Sequence, residues 1–395
     1  MKVVINASTI RIGGGLQATH SFVDQCRELN SYTFHVFLSE RVAEIIDTSL
    51  FPGNFFFYRM RSGSASAKKR RMMRRELAEL ESRIRPDVVL TVYGPSYWRP
   101  KAVHVCGYAK GQYIYKDSPL YQILSFKQLL LLRVKEYLHV KSFRKDCDAF
   151  IVETEDVRER LMKLIPGKPI YTVANTFHQL FDDSSQWSNN ITLPASDAFS
   201  LLTVSANYLH KNLRIIPAVI DYLVKTYPGF KFRFVLTVGR QELSGITDFH
   251  NEYVVLLGKV DVHDCPNLYR QVDALFLPTL VECFSVSYVE AMKMNKVILT
   301  SDLPFATGVC RDAALYFNPL SPEDIGDVIY KVAQSPSLRE ELLCNGKKQL
   351  ARAIMAKDRV RGYMNIIKKC YESRHNEQFL LKGAEAYRCS VTGES

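Results

Sequence analysis

Ten short runs of apolar, largely β-branched or aromatic residues recur along this 395-residue chain, and they set the tightest limit on its fold. KVVIN, DVVLTVY, AVHVCGY, AFIVET and PIYTVAN fall in the front half. SLLTVSA, KFRFVLT, YVVLLG, DALFLPT and KVILTS fall in the back half. The runs are continuous rather than alternating. A strand covered on one face alternates apolar and polar residues; a strand covered on both is apolar throughout, as in parallel sheets flanked by helices. Helical spacing fills the gaps at 16–29, 67–84, 156–164 and 213–226. Strand–helix–strand units repeated in two sets predict an α/β chain of two doubly wound domains.

Residues 181–200, FDDSSQWSNNITLPASDAFS, are polar and aperiodic and are expected to form the linker. The first Rossmann-like domain then spans 1–180 and the second 201–356. Helical segments near 322–334, 336–349 and 357–371 end the chain. The last of these, within 357–395, is expected to return to the first domain and to end in a loosely held tail after Glu372. Doubly wound folds bind ligands beyond the carboxyl ends of their strands. The residues that matter are therefore expected just after the apolar runs, in a cleft between the domains.

Composition removes several classes. Hydrophobic residues make up 47%, too many for a disordered chain. No apolar run approaches the roughly 20 residues that span a bilayer. MKVVINAS is too short and too regular for a secretion signal and reads as a first strand. Nine cysteines without a C-x-x-C pair fit reduced thiols in a cytosolic protein better than a zinc ribbon. The net charge of +11 is uneven: residues 1–190 hold 28 lysines and arginines against 19 carboxylates, the remainder 24 against 22. The front half thus carries a positive field suited to an anionic surface or ligand.

The stretch ECFSVSYVEAM places Glu282 and Glu290 eight positions apart, out of phase for one helical face. The spacing fits a loop carboxylate and a helix carboxylate that contact one elongated ligand. Ser285 is the expected N-cap of a helix starting at Val286. The open N–H groups of that helix suit a phosphate, and Glu290 would stand on the order of 7 Å further along the axis.

The run VDALFLPTLVECFSVSYVEAMKMNKVILTSDLPF resembles the donor-binding segment of glycosyltransferase family 4, a retaining family with the GT-B fold. The resemblance lies in a buried strand, Pro-Thr, Glu-x-Phe, Glu-Ala-Met and a strand leading to Ser-Asp. GKVDVHDCPNLYRQVDAL, DAALYFNPLSPEDIGDVI and HKNL extend it over nearly all of the back half. INASTIRIGGGLQATHSFV and ANTFHQLF resemble the family more loosely in the front half.

The resemblance implies two Rossmann-like domains facing each other across a cleft, the first on the acceptor and membrane side, the second binding the nucleotide-sugar donor. It implies that Glu290 binds the ribose and that Glu282 contacts the donor sugar. Backbone N–H groups around Phe284, Ser285 and Val286 would meet sugar or phosphate oxygens. Lys211, beside Asn212, would stabilise the departing diphosphate. Gly258 would lie against the base, and Gly13, Gly14 and Gly15 would face the diphosphate from the first domain. Lys110 and Gln112 are placed for the acceptor side. The reaction would need neither cofactor nor metal.

Some positions depart from the family pattern. Ser205-Ala206 stands where Gly-Arg is usual, so a phosphate-binding cation is missing or replaced, with Arg240 as the candidate. Glu-Gly-Phe-Gly is here Glu282-Cys283-Phe284-Ser285, and Asn295 replaces a glycine. His104 falls inside a strand-like run and reads as a core residue, which leaves no catalytic histidine to name. Asp146 and Asp148 form a D-x-D triplet that reads as a helix end and strand start rather than a metal site.

Two front-half stretches are basic. KKRRMMRR at 68–75 leads into Met73, Leu77, Leu80 and Ile84 at helical spacing, and ILSFKQLLLLRVKEYLHVKSFRK mixes leucines with cations. Both fit contact with anionic lipid headgroups, and both fit plain solvated basic faces. Nucleic acid is not an expected partner, because no stacking motif accompanies the charge. The leading expectation is a retaining enzyme that builds surface polysaccharide (O-antigen or capsule type), using a glycan or polyprenyl-linked acceptor, cytoplasmic and peripheral on the inner membrane face. The alternatives are a GT-B nucleotide-sugar epimerase or hydrolase, and a catalytically silent membrane-associated scaffold.

Overall fold

A computed structural model describes residues 1–11, 13–61, 66–243, 245–353 and 356–392, with side chains described for all of these except 356 and 377–392. Among the described residues, thirteen strands form two sheets. The first contains β1 (Lys2–Ala7), β2 (Thr33–Leu38), β3 (Phe55–Arg59), β4 (Val88–Thr91), β5 (Val103–Gly107), β6 (Ala149–Val152) and β7 (Ile170–Thr172). The second contains β8 (Phe199–Thr203), β9 (Phe232–Leu236), β10 (Val254–Leu256), β11 (Ala274–Leu277), β12 (Val297–Ser301) and β13 (Leu315–Phe317). Their orders are β3-β2-β1-β4-β5-β6-β7 and β10-β9-β8-β11-β12-β13, and neighbours pair in parallel throughout. Both sheets are doubly wound, with the strand order reversing beside β1 and beside β8.

Eight of the ten continuous apolar runs form interior strands, while PIYTVAN and YVVLLG form the edge strands β7 and β10. β4, β5, β6, β9, β11 and β12 are buried along their whole length. Three strands lie outside those runs. β3 is an edge strand with only its first residue fully buried. β2 carries His35, whose ring meets the Tyr58 hydroxyl at 2.9 Å. β13 has three residues.

Residues 181–200 are not a free linker. Ser188 N–H donates to the His263 carbonyl at 2.9 Å, Asn190 N–H to Asp264 at 3.0 Å and Leu193 N–H to Gln271 at 2.8 Å, so the segment is bound to the second domain. The last helix runs Ala356–Thr392, with no break at Glu372. Val360, Tyr363, Met364 and Ile367 pack in one core with Val3, Ile5, Val88 and Val105 of the first sheet. An apolar cluster also joins the domains: Tyr108, Tyr115 and Phe150 belong to it with Leu280, Cys283 and Phe305.

β4 and β5 are joined by residues 92–102, which contain no helix. A parallel pair normally has a covering helix in its crossover. Here the helices Ala67–Ile84 and Phe126–Asp146 flank an uncovered strip.

Candidate active site

Each site residue inferred from the sequence lies after the carboxyl end of a strand. β8 leads to the 3₁₀ turn Leu209–Lys211, which Asn212 closes in a left-handed conformation (φ 56°) while its amide donates to the Pro319 carbonyl at 2.7 Å. Asparagine tolerates that region better than most side chains. Leu280 N–H donates to the His210 carbonyl at 2.7 Å, which ties this turn to the loop after β11. So placed, the Lys211 ammonium pairs with the Glu282 carboxylate, their side chains 17% and 10% exposed. Burial disfavours the ammonium and pushes Lys211 down to about 8.

The Glu282 loop is held from across the cleft. A Cβ at Gly111 would lie 2.9 Å from the Glu282 carbonyl carbon, so the two backbones touch. Ser118 Oγ donates to the Leu280 carbonyl at 2.7 Å. Lys110 and Gln112 flank Gly111 and are partly buried. Burial lowers the Lys110 ammonium. Burial, then Lys211 and Lys110, hold His210 neutral at about 3. Lys110, His210, Lys211 and Glu282 therefore share one electrostatic neighbourhood, drawn from both domains.

Glu290 stands within the helix Val286–Lys293 and accepts the Tyr269 hydroxyl at 3.2 Å. Burial raises it to about 7. The helix begins directly after Ser285, as its sequence implied, yet the Ser285 hydroxyl makes no cap hydrogen bond. The first-turn N–H groups thus have no side-chain acceptor and can meet an anion. Phe284 and Val286 pack on the interdomain apolar cluster.

Gly13 has φ 73°, a conformation in which glycine is at ease, and a Cβ there would come 3.5 Å from the Tyr208 hydroxyl of the second domain. Gly14 meets nothing within 4 Å, and Gly15 faces the Tyr93 ring. Gly258 follows β10 with φ 68° and open space beside it. Arg240, the candidate replacement cation, is 56% exposed, donates to Asn251 and lies 3.7 Å from Asp248. Its charge is engaged by its own loop.

His104 is fully buried, with ring nitrogens 2.8 Å from the Thr91 hydroxyl and 2.5 Å from the Asp146 carbonyl. Asp148 pairs with Arg99 at 2.7 Å, before β6 and therefore at the far end of the sheet from the cleft.

Glu153 was not inferred from the sequence. It directly follows β6, is 6% exposed, and accepts hydrogen bonds from the Tyr93 hydroxyl (2.9 Å) and the Asn175 amide (2.7 Å). Burial raises it to about 7. Arg359 of the last helix donates to Asn175 at 2.5 Å and Ser21 at 2.9 Å, joining this network to the returning helix. The signal was present: in AFIVET the carboxylate Glu153 directly follows the apolar residues Ala149–Val152. The stacked rings of Tyr208 and His210, 5.5 Å apart, had no comparable pattern.

Comparison with known proteins agrees with this geometry. The family described as glycosyl transferases group 1 matches residues 195–349. The O-antigen chain mannosyltransferase RfbU of Salmonella typhimurium is 24% identical over 232 residues, 57% of this chain and 59% of that protein, so the match spans less than two thirds of the relative. Sucrose-phosphate synthase from Thermosynechococcus elongatus superposes with a TM-score of 0.69 at 13% identity over 94% of this chain and all of that one. WaaG, a glycosyltransferase involved in lipopolysaccharide biosynthesis, gives 0.67 at 14% over 92% and 99%. Anabaena HepE in complex with UDP and glucose gives 0.66 at 12% over 93% and 100%. Identities this low speak to the fold alone. The chain has the GT-B fold, and its residues 195–349 match the family described as glycosyl transferases group 1.

Proposed function

We propose that this protein is a retaining glycosyltransferase that moves a sugar from a nucleotide-sugar donor to a glycan or lipid-linked glycan in surface polysaccharide biosynthesis. The observation that carries the reading is the Lys211–Glu282 pair, held against the Lys110–Gln112 loop of the other domain, with Glu290 one helix turn beyond an uncapped helix start. The donor diphosphate lies between Lys211 and the N–H groups at Ser285 and Val286. It displaces Glu282 from Lys211, which frees that carboxylate for the sugar hydroxyls. Glu290 accepts the ribose hydroxyls. The acceptor approaches past Lys110 and Gln112 and attacks on the face that the diphosphate leaves. Rate enhancement rests on charge stabilisation and alignment, without a metal.

RfbU and WaaG, by their names, act on O-antigen and lipopolysaccharide, and HepE was solved with UDP and glucose. These support the polysaccharide setting. No helix among the described residues is long and apolar enough to cross a membrane. The helix Phe126–Asp146 nevertheless exposes Phe126 (79%), Leu130 and Tyr137 (67%) among its cations. It is the natural seat for peripheral contact with an anionic membrane face, which the proposed function places on the cytoplasmic side.

Incubation with a panel of nucleotide sugars tests the proposal. Transfer to a glycan acceptor that disappears in Glu290→Ala supports it, and free sugar without transfer points to a hydrolase. An isomerised donor points to an epimerase, and no turnover at all points to a silent scaffold.

A further inference from the structure

Lys110 stands at the cleft without a counterion. It follows the carboxyl end of β5 by three residues and is partly buried. Its ammonium makes no ion pair and no hydrogen bond with any described residue. Burial lowers it, because a cation taken out of water is costly unless an opposite charge answers it. Its position is nonetheless fixed. The Lys110 carbonyl accepts the buried Tyr108 hydroxyl and the Tyr113 N–H, each at 3.0 Å. The Tyr113 hydroxyl in turn meets the His139 ring at 2.8 Å.

Charge in this neighbourhood does not balance. Gly111, next to Lys110, rests on the Glu282 backbone. Lys110 acts on Cys283 of that loop, and Lys110 and Lys211 both act on His210. Glu282 is spent on Lys211. Glu153 and Asp156 also reach Cys283, but Asp156 pairs with Arg160 at 3.0 Å, and Glu153 is held by the Tyr93 hydroxyl and the Asn175 amide. Arg240 is turned to Asn251 and Asp248. Two cations from different domains thus share one free carboxylate. A diphosphate carries more than one negative charge, so Lys211 alone would leave it under-neutralised while Lys110 lacks an anion.

We infer that Lys110 is a second catalytic cation, brought by the first domain to the donor diphosphate opposite Lys211. The inference rests on the transferase reading and adds a residue to it. In that reading the acceptor attacks on the face that the diphosphate leaves. A side chain beside the acceptor's path therefore also stands beside the departing phosphate. The bond between sugar carbon and phosphate oxygen breaks with its electron pair on that oxygen. The acceptor oxygen bonds to the same carbon, and its proton passes to the departing diphosphate. Lys110 stabilises the charge collecting there and exchanges no proton. Because Lys110 and Lys211 belong to different domains, both reach the diphosphate only while the Gly111 turn and the Glu282 loop are in contact.

The test titrates the full-length protein with uridine, adenosine and guanosine diphosphates and with the matching monophosphates. The parent should bind one diphosphate more tightly than its monophosphate. Lys110→Met removes the charge and keeps the length of the side chain. It should weaken that diphosphate roughly 10- to 100-fold, the loss expected of a charge-assisted contact, and leave the monophosphate nearly unchanged. Lys110→Arg should restore most of the loss. On the donor identified by the panel, Lys110→Met should lower kcat roughly 100-fold. Its melting temperature should equal or exceed the parent's, since it buries no unpaired charge. Unchanged diphosphate binding, or a loss confined to acceptor KM, would overturn the inference and leave this lysine to the acceptor. Lost binding with a lowered melting temperature would assign it to the fold and overturn the inference as well. The two claims separate on the parent: if it binds no nucleoside diphosphate, the transferase reading falls too, and if it binds one that Lys110→Met binds equally, only Lys110 is removed.

Discussion

Lys211 and Glu282, 71 residues apart in sequence, meet as an ion pair in the cleft, one from the loop after β8 and the other from the loop after β11. In the proposed function the pair puts a cation where the diphosphate leaves and keeps it neutralised until the donor displaces Glu282. Removing the ammonium should remove stabilisation that matters most in the transition state. Lys211→Ala is expected to lower kcat by 100- to 1000-fold, about 3–4 kcal/mol, with a smaller change in KM. Steady-state kinetics on the donor identified by the panel checks this. A variant that raises KM and spares kcat would make Lys211 a binding group alone.

Glu290 gives a pH signature. Its carboxyl is held at about 7 by burial. Hydrogen bonds from ribose hydroxyls need the ionised form, so donor affinity should be full above pH 7 and fall as the pH drops below it. The expected loss approaches tenfold per unit, about 1.4 kcal/mol, and Glu290→Gln should flatten the profile at a low value. Donor KM measured from pH 5.5 to 8.5 decides.

Gly111 tests whether the two loops must touch. A Cβ there meets Glu282 backbone, which cannot swing aside as a side chain would. Gly111→Ala should push the Glu282 loop back by a few tenths of an ångström or more. Activity is expected to fall 10- to 100-fold, with a melting temperature within a few degrees of the parent.

Much of this was legible from the pattern of residues along the chain. Val88–Thr91 and Ala274–Leu277 announce themselves because a strand buried on both faces has no polar position to hide behind. Glu282 and Glu290 stood out by spacing beside an expected helix start. Other features depend on contacts between distant segments. Nothing in SNNITLP says that its N–H groups bond to Asp264 and Gln271. The partnership of Glu153 with Tyr93, Asn175 and, through Asn175, Arg359 joins four segments that only the folded chain brings together. The engagement of Arg240 by Asn251 is a loop contact of the same kind.

That buried network makes a stability prediction. Glu153 titrates near 7 in the folded chain, against an ordinary 4.5. The folded state therefore holds the proton more firmly, and stability falls as pH rises from about 4.5 through 7. Above that window the cost is on the order of 3 kcal/mol at most. Glu153→Gln keeps an acceptor for Tyr93 and should escape the cost. Denaturant melts should show parent and variant alike near pH 4.5 and the variant more stable at pH 8.

The exposed apolar crest of Phe126–Asp146 predicts peripheral membrane binding. Leu130→Ser with Tyr137→Ser should weaken sedimentation with phosphatidylglycerol vesicles roughly 10-fold or more, since each side chain contributes on the order of 1–2 kcal/mol when buried. Raising salt from 0.05 to 0.5 M should weaken the parent as well. Equal sedimentation of parent and variant would assign the helix to solvent.

The most direct check on the cleft is calorimetric titration with nucleoside diphosphates. One of them should bind the parent, and both Lys211→Ala and Glu290→Ala should lose at least tenfold in affinity while keeping the parent's fold. Binding that neither substitution changes would place the diphosphate somewhere other than between Lys211 and the Ser285 helix start.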